Sequence, residues 1–326
     1  MTRTTTLTAR SPEDLLALVP IVLGFVPQES VVMLTFGAQR TFHARVDLPV
    51  REAEVAEVVQ ALLEPACRHL VRRVVFVLYA VDARAARTVA RPLVDAFEEA
   101  GVEVIDVLRA DGDRWFTVLG RRRGVPPCGV AYDVSAHPFA AEAVLDGRVT
   151  HASREGLADT LRPDPDRVAA VDAALAARSA RDPDGGPCGG SGGADELVWA
   201  RHLVADHATS GTAPGDADLA RLLVGLRDPL VRDAAWLVMT PDTAREQVGL
   251  WTDVVRRSPP EVLAAPAAML GFAAWLSGQG ALAWCAIDRC RESDPDYVLA
   301  GLLAELLVHA VPPSAWDDRT GAEDPP

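Results

Sequence analysis

The chain has 326 residues, of which 49% are hydrophobic and 24% are charged, an ordinary globular composition that can bury a substantial core. Its net charge is −14. Residues 131–326 carry all of it, with 16 arginines against 30 acidic residues, whereas residues 1–130 hold 16 of each. Such an acidic half repels polyanions, so we expect no binding to nucleic acid or to an anionic membrane.

Three further features bear on the compartment and on cofactors. No apolar run approaches the roughly 20 residues that span a bilayer, and the first ten residues lack the apolar core of a signal peptide, so we expect a cytoplasmic protein. All 32 basic residues are arginine, which favours a GC-rich genome. The five scattered cysteines have no metal-ligand spacing, so we expect reduced thiols, no metal and no cofactor.

The segment SPEDLLALVPIVLGFVPQES, from Ser11, predicts a helix and then a corner. Ser11 is a good N-cap, Pro12 suits the first helical position, and the acidic residues behind it complement the helix dipole. Pro20 disfavours helical backbone at the residue before it, so we expect the helix to end or kink there. Gly24 then supplies a turn, and a β-rich segment follows.

After this corner, strands and helices alternate as far as residue 120. The segment 41–49 alternates polar and apolar residues, as in a hairpin strand with one exposed face, whereas 74–79 is apolar throughout, as in a strand covered on both faces. We therefore predict a mixed sheet whose middle strands are parallel and whose edges are hairpins. The predicted strands cover about residues 30–36, 41–49, 74–79, 102–110 and 114–120, and the predicted helices about 51–70 and 82–100.

The remainder is predicted to be helical, apart from a loop at 125–138 and a linker rich in glycine and proline at 182–196. The predicted fold is an α/β domain with trailing short helices at 1–181, then an all-α domain of helical hairpins, bundle-like or solenoid-like, at 197–312, and a disordered tail at 313–326. The predicted helices cover about residues 137–146, 153–161, 165–180, 195–208, 216–226, 229–239, 242–257, 260–277, 280–292 and 296–310.

Two stretches resemble a known family. SPEDLLALVPIVLGFVPQESVVMLTF, at 11–36, resembles its N-terminal signature, and APAAMLGFAAWLSGQGALAWCAIDRCRESDPDYVLAGLLAELL, at 265–307, resembles its C-terminal helical signature. RVDLP and DGDRWFTV fit between them. The family is the actinobacterial domain-of-unknown-function family numbered 4192. The resemblance spans most of the chain and implies no activity, because the family carries none that can be transferred.

One group of candidate ligand-binding residues follows the apolar strand at 74–79. Tyr79, Asp82 and Arg84 come at its carboxyl end, where ligands gather in open α/β sheets. The alternative is structural, with Asp82 serving only as the N-cap of the next helix.

A second group surrounds the DGD turn at 111–113. Carboxylates there can hold a metal or a ribose, and arginines can grip a phosphate or a carboxylate through their fork of donors. The alternative is structural: Asp-Gly forms the turn of a hairpin, and the arginines are solvated where the chain leaves the strand. These candidates are Asp111, Arg114, Arg121, Arg122 and Arg123.

Two functions follow from these observations. The first is a non-enzymatic interaction or regulatory protein whose tryptophan-bearing helical domain presents a grooved face to another protein. The alternative is a ligand sensor or an enzyme with a nucleotide or small-anion pocket at the carboxyl ends of the parallel strands. The sequence has no phosphate-binding glycine loop and no nucleophile elbow, so we assign no catalytic residue and favour the first. The oligomeric state stays open.

Overall fold

A computed structural model describes residues 8–37, 42–181 and 193–316. The chain forms two compact units, Met1–Arg154 and Glu155–Pro326. The first is built on a mixed sheet and the second is helical, so the predicted fold class is confirmed. Within the described ranges, no helix is both long enough and apolar enough to cross a bilayer.

The mixed sheet has six strands. They are β1 (Ser30–Phe36), β2 (His43–Asp47), β3 (Arg73–Tyr79), β4 (Glu103–Asp111), β5 (Arg114–Thr117) and β6 (Val130–Ala131). Their order is β2-β1-β3-β4-β5-β6. The middle pair, β3 and β4, is parallel, and the other neighbouring pairs are antiparallel. Strand β6 lies in a segment that was predicted to be a loop. The sequence did not reveal it because a strand of two residues is too short to show a period.

Helices cover both faces of this sheet. They are α1 (Pro12–Leu23), α2 (Val55–Arg68), α3 (Ala83–Glu99) and α4 (Pro138–Leu145). Helices α2 and α3 bury their apolar stripes on one face, where the rings of Phe76 and Phe97 meet edge to face at 5.0 Å. Helix α1 packs Leu16 and Val19 on the opposite face, and α4 packs against α1. Each face thus has its own apolar core.

For α1 we predicted an end or a kink at Pro20, and the end is wrong. The helix does not end at the preceding residue but runs on to Leu23, and it stops at Gly24, whose φ is +79°. The N–H of Gly24 donates to the carbonyl of Pro20 at 2.8 Å. Val19 and Pro20 are both buried, so packing on the sheet offsets the one helical hydrogen bond that proline removes.

The second unit consists of helices joined by short turns. After α5 (Arg154–Asp159), which begins at the division between the units, come α6 (Pro165–Arg181), α7 (Gly193–Ser210), α8 (Asp216–Gly225), α9 (Pro229–Trp236), α10 (Ala244–Arg257), α11 (Ala264–Leu276), α12 (Gly280–Ser293) and α13 (Val298–Val308). Helix α11 is buried from Pro266 to Leu276 and packs against α10, α12 and α13. It forms the core of this unit.

The predicted domain limits stay predictions. Most of the predicted linker, residues 182–192, lies outside the described residues, and so does the end of the predicted tail, residues 317–326. The helix that follows the linker begins at Gly193. Before the C-terminal undescribed segment, the ring of Trp316 stacks on that of Trp236, with centroids 5.6 Å apart.

Candidate functional site

Asp82 and Arg84 lie just beyond β3, where the chain enters α3. The backbone of Asp82 is extended, and its Oδ1 accepts a hydrogen bond from the backbone N–H of Arg84 at 2.7 Å. The side chain of Arg84 is exposed. Asp82 is therefore the N-cap of α3, as its structural alternative predicted. A ligand-binding role for either residue stays a prediction.

A buried arginine that was not among the candidates lies at the ends of β3 and β4 and binds Asp111. Arg109 on β4 is only 7% exposed, and its Nη1 lies 2.9 Å from each of three acceptors: the carbonyls of Ala80 and Val81 and Oδ2 of Asp111. Its guanidinium carbon is 3.9 Å from the centre of the Phe116 ring. Arg109 thus links the end of β3 to the end of β4. The carboxylate that it binds belongs to Asp111, one of the predicted site residues.

Tyr79 faces the other side of the sheet. In the β3–β4 ladder Tyr79 pairs with Ala110, whereas Leu78 pairs with Arg109, so Tyr79 and Arg109 lie on opposite faces of the sheet. Burial raises the pKa of the Tyr79 phenol, and the neighbouring Tyr132 raises it further. Tyr79 packs in the core beneath α1 rather than beside Arg109.

Arg114 begins β5 and bonds to the neighbouring loop. Its Nη1 donates to the carbonyls of Cys128 and Gly129, each at 3.2 Å. Gly129 has φ +75°, and a Cβ there would lie 2.6 Å from the Phe116 ring and 2.9 Å from the carbonyl of Trp115. Only glycine fits, so Phe116 is held between Gly129 and the guanidinium of Arg109.

Arg122 lies near the amino end of the parallel pair, away from Asp82 and Asp111. Its Nη1 donates to Oδ2 of Asp106 at 2.6 Å. Both residues border a pocket of about 300 Å³ between the start of α1, the end of β1 and the amino ends of β3 and β4. Arg121 and Arg123, its two neighbours in the chain, are exposed.

The first turn of α1 is held to distant parts of this unit by its carboxylates. Glu13 accepts from the indole N–H of Trp115 at 2.9 Å, so the tryptophan is a packing residue here. Asp14 accepts from the backbone N–H of Arg10 at 2.6 Å, which lowers the pKa of Asp14, and bonds from Ser11 and His137 lower it further against its partial burial.

His137 also serves as the N-cap of α4. Its Nδ1 accepts from the backbone N–H of Phe139 at 3.2 Å, so Nε2 carries the proton and donates to Asp14 at 3.1 Å. The caps of α1 and α4 are thereby joined by one hydrogen bond. We assign this pair to structure, because both ring nitrogens are already used.

In the second unit, a buried charged cluster surrounds Arg257 of α10. Arg257 is 3% exposed, and it donates to Oδ1 of Asp216 at 2.6 Å, Oδ2 of Asp253 at 2.9 Å and the carbonyl of Pro214 at 2.8 Å. Arg167 of α6 pairs with the other oxygen of Asp253 at 2.7 Å. This cluster joins three helices and was not predicted.

The predicted site residues are therefore distributed over different places. Asp82, Arg84 and Asp111 lie near the carboxyl ends of β3 and β4 with Arg109, while Tyr79 lies on the opposite face. Arg122 lies near the amino ends. The sequence signal that could have revealed Arg109 is a lone arginine in the strand VIDVLRA, because such a residue must find partners inside the protein.

Within the described ranges, no three histidine, cysteine or acidic residues are grouped to hold a metal ion.

The comparisons with known proteins identify a family. A family model described as a domain of unknown function, DUF4192, matches residues 12–314. The chain belongs to the DUF4192 family. Searches of the curated proteins and of the solved structures gave no match. The DUF4192 match covers parts of both compact units, so the sheet and the helices belong to one family pattern.

Proposed function

We propose that the protein is a non-enzymatic interaction module whose helical unit binds a partner protein through the outer face of α13. The observation that carries this proposal is a short row of two large apolar side chains, Val298 and Leu302, left in solvent one turn apart on α13, with Val308 exposed further round the helix. Val298 is 75% exposed, Leu302 is 53% exposed and Val308 is 59% exposed. Rows of this kind mark interaction surfaces more often than isolated exposed residues do.

The sequence of α13 explains why this face is apolar. The helix reads VLAGLLAELLV and has one charged residue, Glu305. Its inner face is buried through Leu299 and Leu303, and its outer face carries Val298 and Leu302 one turn apart, with Glu305 also exposed on that face. The outer face is therefore an apolar pair beside one carboxylate. A partner on the outer face would bury this pair.

The charge of the second unit suggests the chemistry of the partner. The unit holds 14 arginines against 27 acidic residues, and Asp294 and Asp296 stand just before α13. An amphipathic helix with an apolar stripe and basic flanks would match both properties. We therefore propose a basic amphipathic segment of another protein as the occupant.

Other observations support a non-catalytic role in a reducing compartment. Asp82, Arg109 and Arg257 are engaged in bonds that hold backbone and helices together. Cys67 and Cys128 are exposed free thiols, which supports the cytoplasm as their compartment. The arginine-only basic composition supports an actinobacterial source with a GC-rich genome.

Site-specific photo-cross-linking tests the proposal. A photoreactive phenylalanine replaces Leu302, or Val298 in a separate variant, in cells of the source organism, and a matched control replaces Leu145 of α4, which is 87% exposed in the first unit. We expect one reproducible heterologous adduct at position 302 and none at 145, with a basic amphipathic segment at the cross-linked peptide.

Three results would overturn the proposal. They are adducts of equal yield at both positions, no adduct at position 302, and an adduct of twice the chain mass, which would make the occupant a second copy. Leu302→Glu supplies a second readout, because it places a charge on the exposed face without disturbing the buried one. We expect it to abolish the adduct formed from position 298 while thermal unfolding is unchanged.

A further inference from the structure

A β-bulge shapes the pocket at the amino ends of β3 and β4. In the β3–β4 ladder Val74 pairs with Val104, but Val75 pairs with Asp106, so Ile105 is an extra residue. Bulges re-aim side chains and interrupt pairing. As a result, consecutive residues, Ile105 and Asp106, both border the pocket.

The lining of this pocket combines an apolar part with a cationic one. Leu15, Phe36, Val75 and Ile105 supply the apolar part. Three arginines from separate parts of the chain supply the charge: Arg10, Arg73 and Arg122. The volume of about 300 Å³ is at the lower end of the range for small-molecule sites.

Among the residues that line the pocket, three arginines stand against one carboxylate. Asp106 is the one acidic lining residue, and it is paired with Arg122. The guanidinium groups of Arg10 and Arg73 have no ion-pair or hydrogen-bond partner among the residues that the structure describes. Arginine offers a rigid fork of donors that matches phosphate and carboxylate oxygens. Two such groups beside an apolar surface therefore favour an anionic ligand that also has an apolar part.

The start of α1 is not itself the anion-binding element. The hydroxyl of Ser11 already accepts from the N–H of Asp14, and the carboxylate of Asp14 already accepts from the N–H groups of Arg10 and Ser11. Glu13 is bonded to Trp115. The attraction for an anion therefore comes from the arginine side chains.

We propose that this pocket binds a small phosphate monoester carried on an apolar or aromatic body. A phosphate monoester carries a charge of about −1.5 to −2 at neutral pH, which balances the charges of the Arg10 and Arg73 guanidinium groups. The body of the ligand lies against Phe36, Val75 and Ile105, and Arg10 and Arg73 hold the phosphoryl oxygens. This site is in the first unit and does not depend on the α13 interface.

Calorimetric titration of the full chain with phenyl phosphate tests the site. We expect saturable binding, weaker binding of inorganic phosphate, which lacks the body, and weaker binding of benzoate, which carries a single charge. Arg73→Gln and Arg10→Gln should each weaken phenyl phosphate binding about tenfold, the usual consequence of losing one charged hydrogen-bonding partner. Arg123→Gln is the matched control, because Arg123 is exposed and does not border the pocket.

A second variant separates the shape of the pocket from its charge. Ile105→Trp fills the pocket from a half-exposed position and leaves all three arginines in place, so we expect it to abolish binding with an unchanged thermal unfolding midpoint. The proposal is overturned if phenyl phosphate gives no saturable heat with the unaltered chain. It is equally overturned if Arg123→Gln weakens binding as much as Arg73→Gln, or if Ile105→Trp has no effect.

Discussion

Among the residues that the structure describes, each unit contains one deeply buried arginine, and the two are neutralised in different ways. Arg109 in the sheet unit binds two backbone carbonyls and one carboxylate, and it lies on an aromatic ring. Arg257 in the helical unit binds one carbonyl and two carboxylates. Both are at least nine-tenths buried, and an unpaired charge there would be strongly unfavourable.

The difference follows from the surrounding secondary structure. The end of a strand exposes carbonyls that have left the ladder, so a guanidinium can bind backbone there. Helices satisfy most of their carbonyls internally, so the guanidinium of Arg257 is met chiefly by acidic side chains, and its one carbonyl acceptor, that of Pro214, lies in the turn before α8. Arg109 therefore fixes a loop, and Arg257 fixes the mutual packing of helices. Neither arrangement is evidence of catalysis.

Replacing each arginine with methionine tests this comparison most directly. Arg257→Met removes contacts to two carboxylates, so we expect a loss of about 3 kcal/mol in the free energy of unfolding, and Arg109→Met should cost about 2 kcal/mol. Hydrogen exchange should show faster opening of α8 and α10 in the first variant, and of β3 and β4 in the second. Arg91→Met, which removes an exposed pair with Asp95, is the control and should cost almost nothing. Faster exchange spread equally over both units in either variant would contradict the assignment.

The aromatic support under Arg109 can be tested at Gly129. Gly129→Ala introduces a positive-φ cost of about 1 kcal/mol and forces Phe116 to move, for a total of about 2 kcal/mol. Gly112→Ala is matched in backbone conformation, with φ +60°, but its Cβ would meet nothing within 4 Å. The excess cost at Gly129, measured by urea unfolding, reports the contacts with the Phe116 ring and the Trp115 carbonyl together. Equal costs for the two variants would show that both groups move aside freely.

Lowering the pH should destabilise the sheet unit through His43, by a smaller free energy than the substitutions above. Burial lowers the pKa of His43 on β2 from 6.5 to about 4. The unfolded chain therefore binds a proton more readily between these values, and the sheet unit loses stability as pH falls from about 6.5 towards 4. At about pH 5.5 we expect a loss of roughly 1 kcal/mol, seen as faster exchange in β1 and β2. His43→Gln should remove this part of the pH dependence, and an unchanged slope in that variant would refute the assignment.

Most elements of the fold could be predicted because their signals are local. The apolar run before Tyr79 predicted a covered middle strand, and Asp82 predicted the start of α3. Turn residues marked the ends of the helices in the second unit closely. The predicted helix end at Pro20 was wrong, because the effect of proline on the backbone is local whereas the burial of Val19 and Pro20 depends on a sheet formed later in the chain.

The arrangement of the candidate site residues could not be predicted in the same way. Neighbouring positions on β4 alternate between faces, and the bulge at Ile105 changes that alternation, so spacing alone does not say which side chains meet. Arg109 was missed because an arginine in a strand is ordinarily exposed. Arg10 and Arg73 are 63 positions apart in a sequence that gives no sign that they border one pocket.

The order of the strands has a consequence for how the first unit folds. In the order β2-β1-β3-β4-β5-β6, every neighbouring pair is consecutive in the chain except β1 and β3, which have only β2 between them. Contacts of short sequence separation close small loops and favour rapid folding. The sheet can therefore grow outward from β1 during synthesis on the ribosome, because each strand from β2 onward pairs with a strand that has already been synthesised.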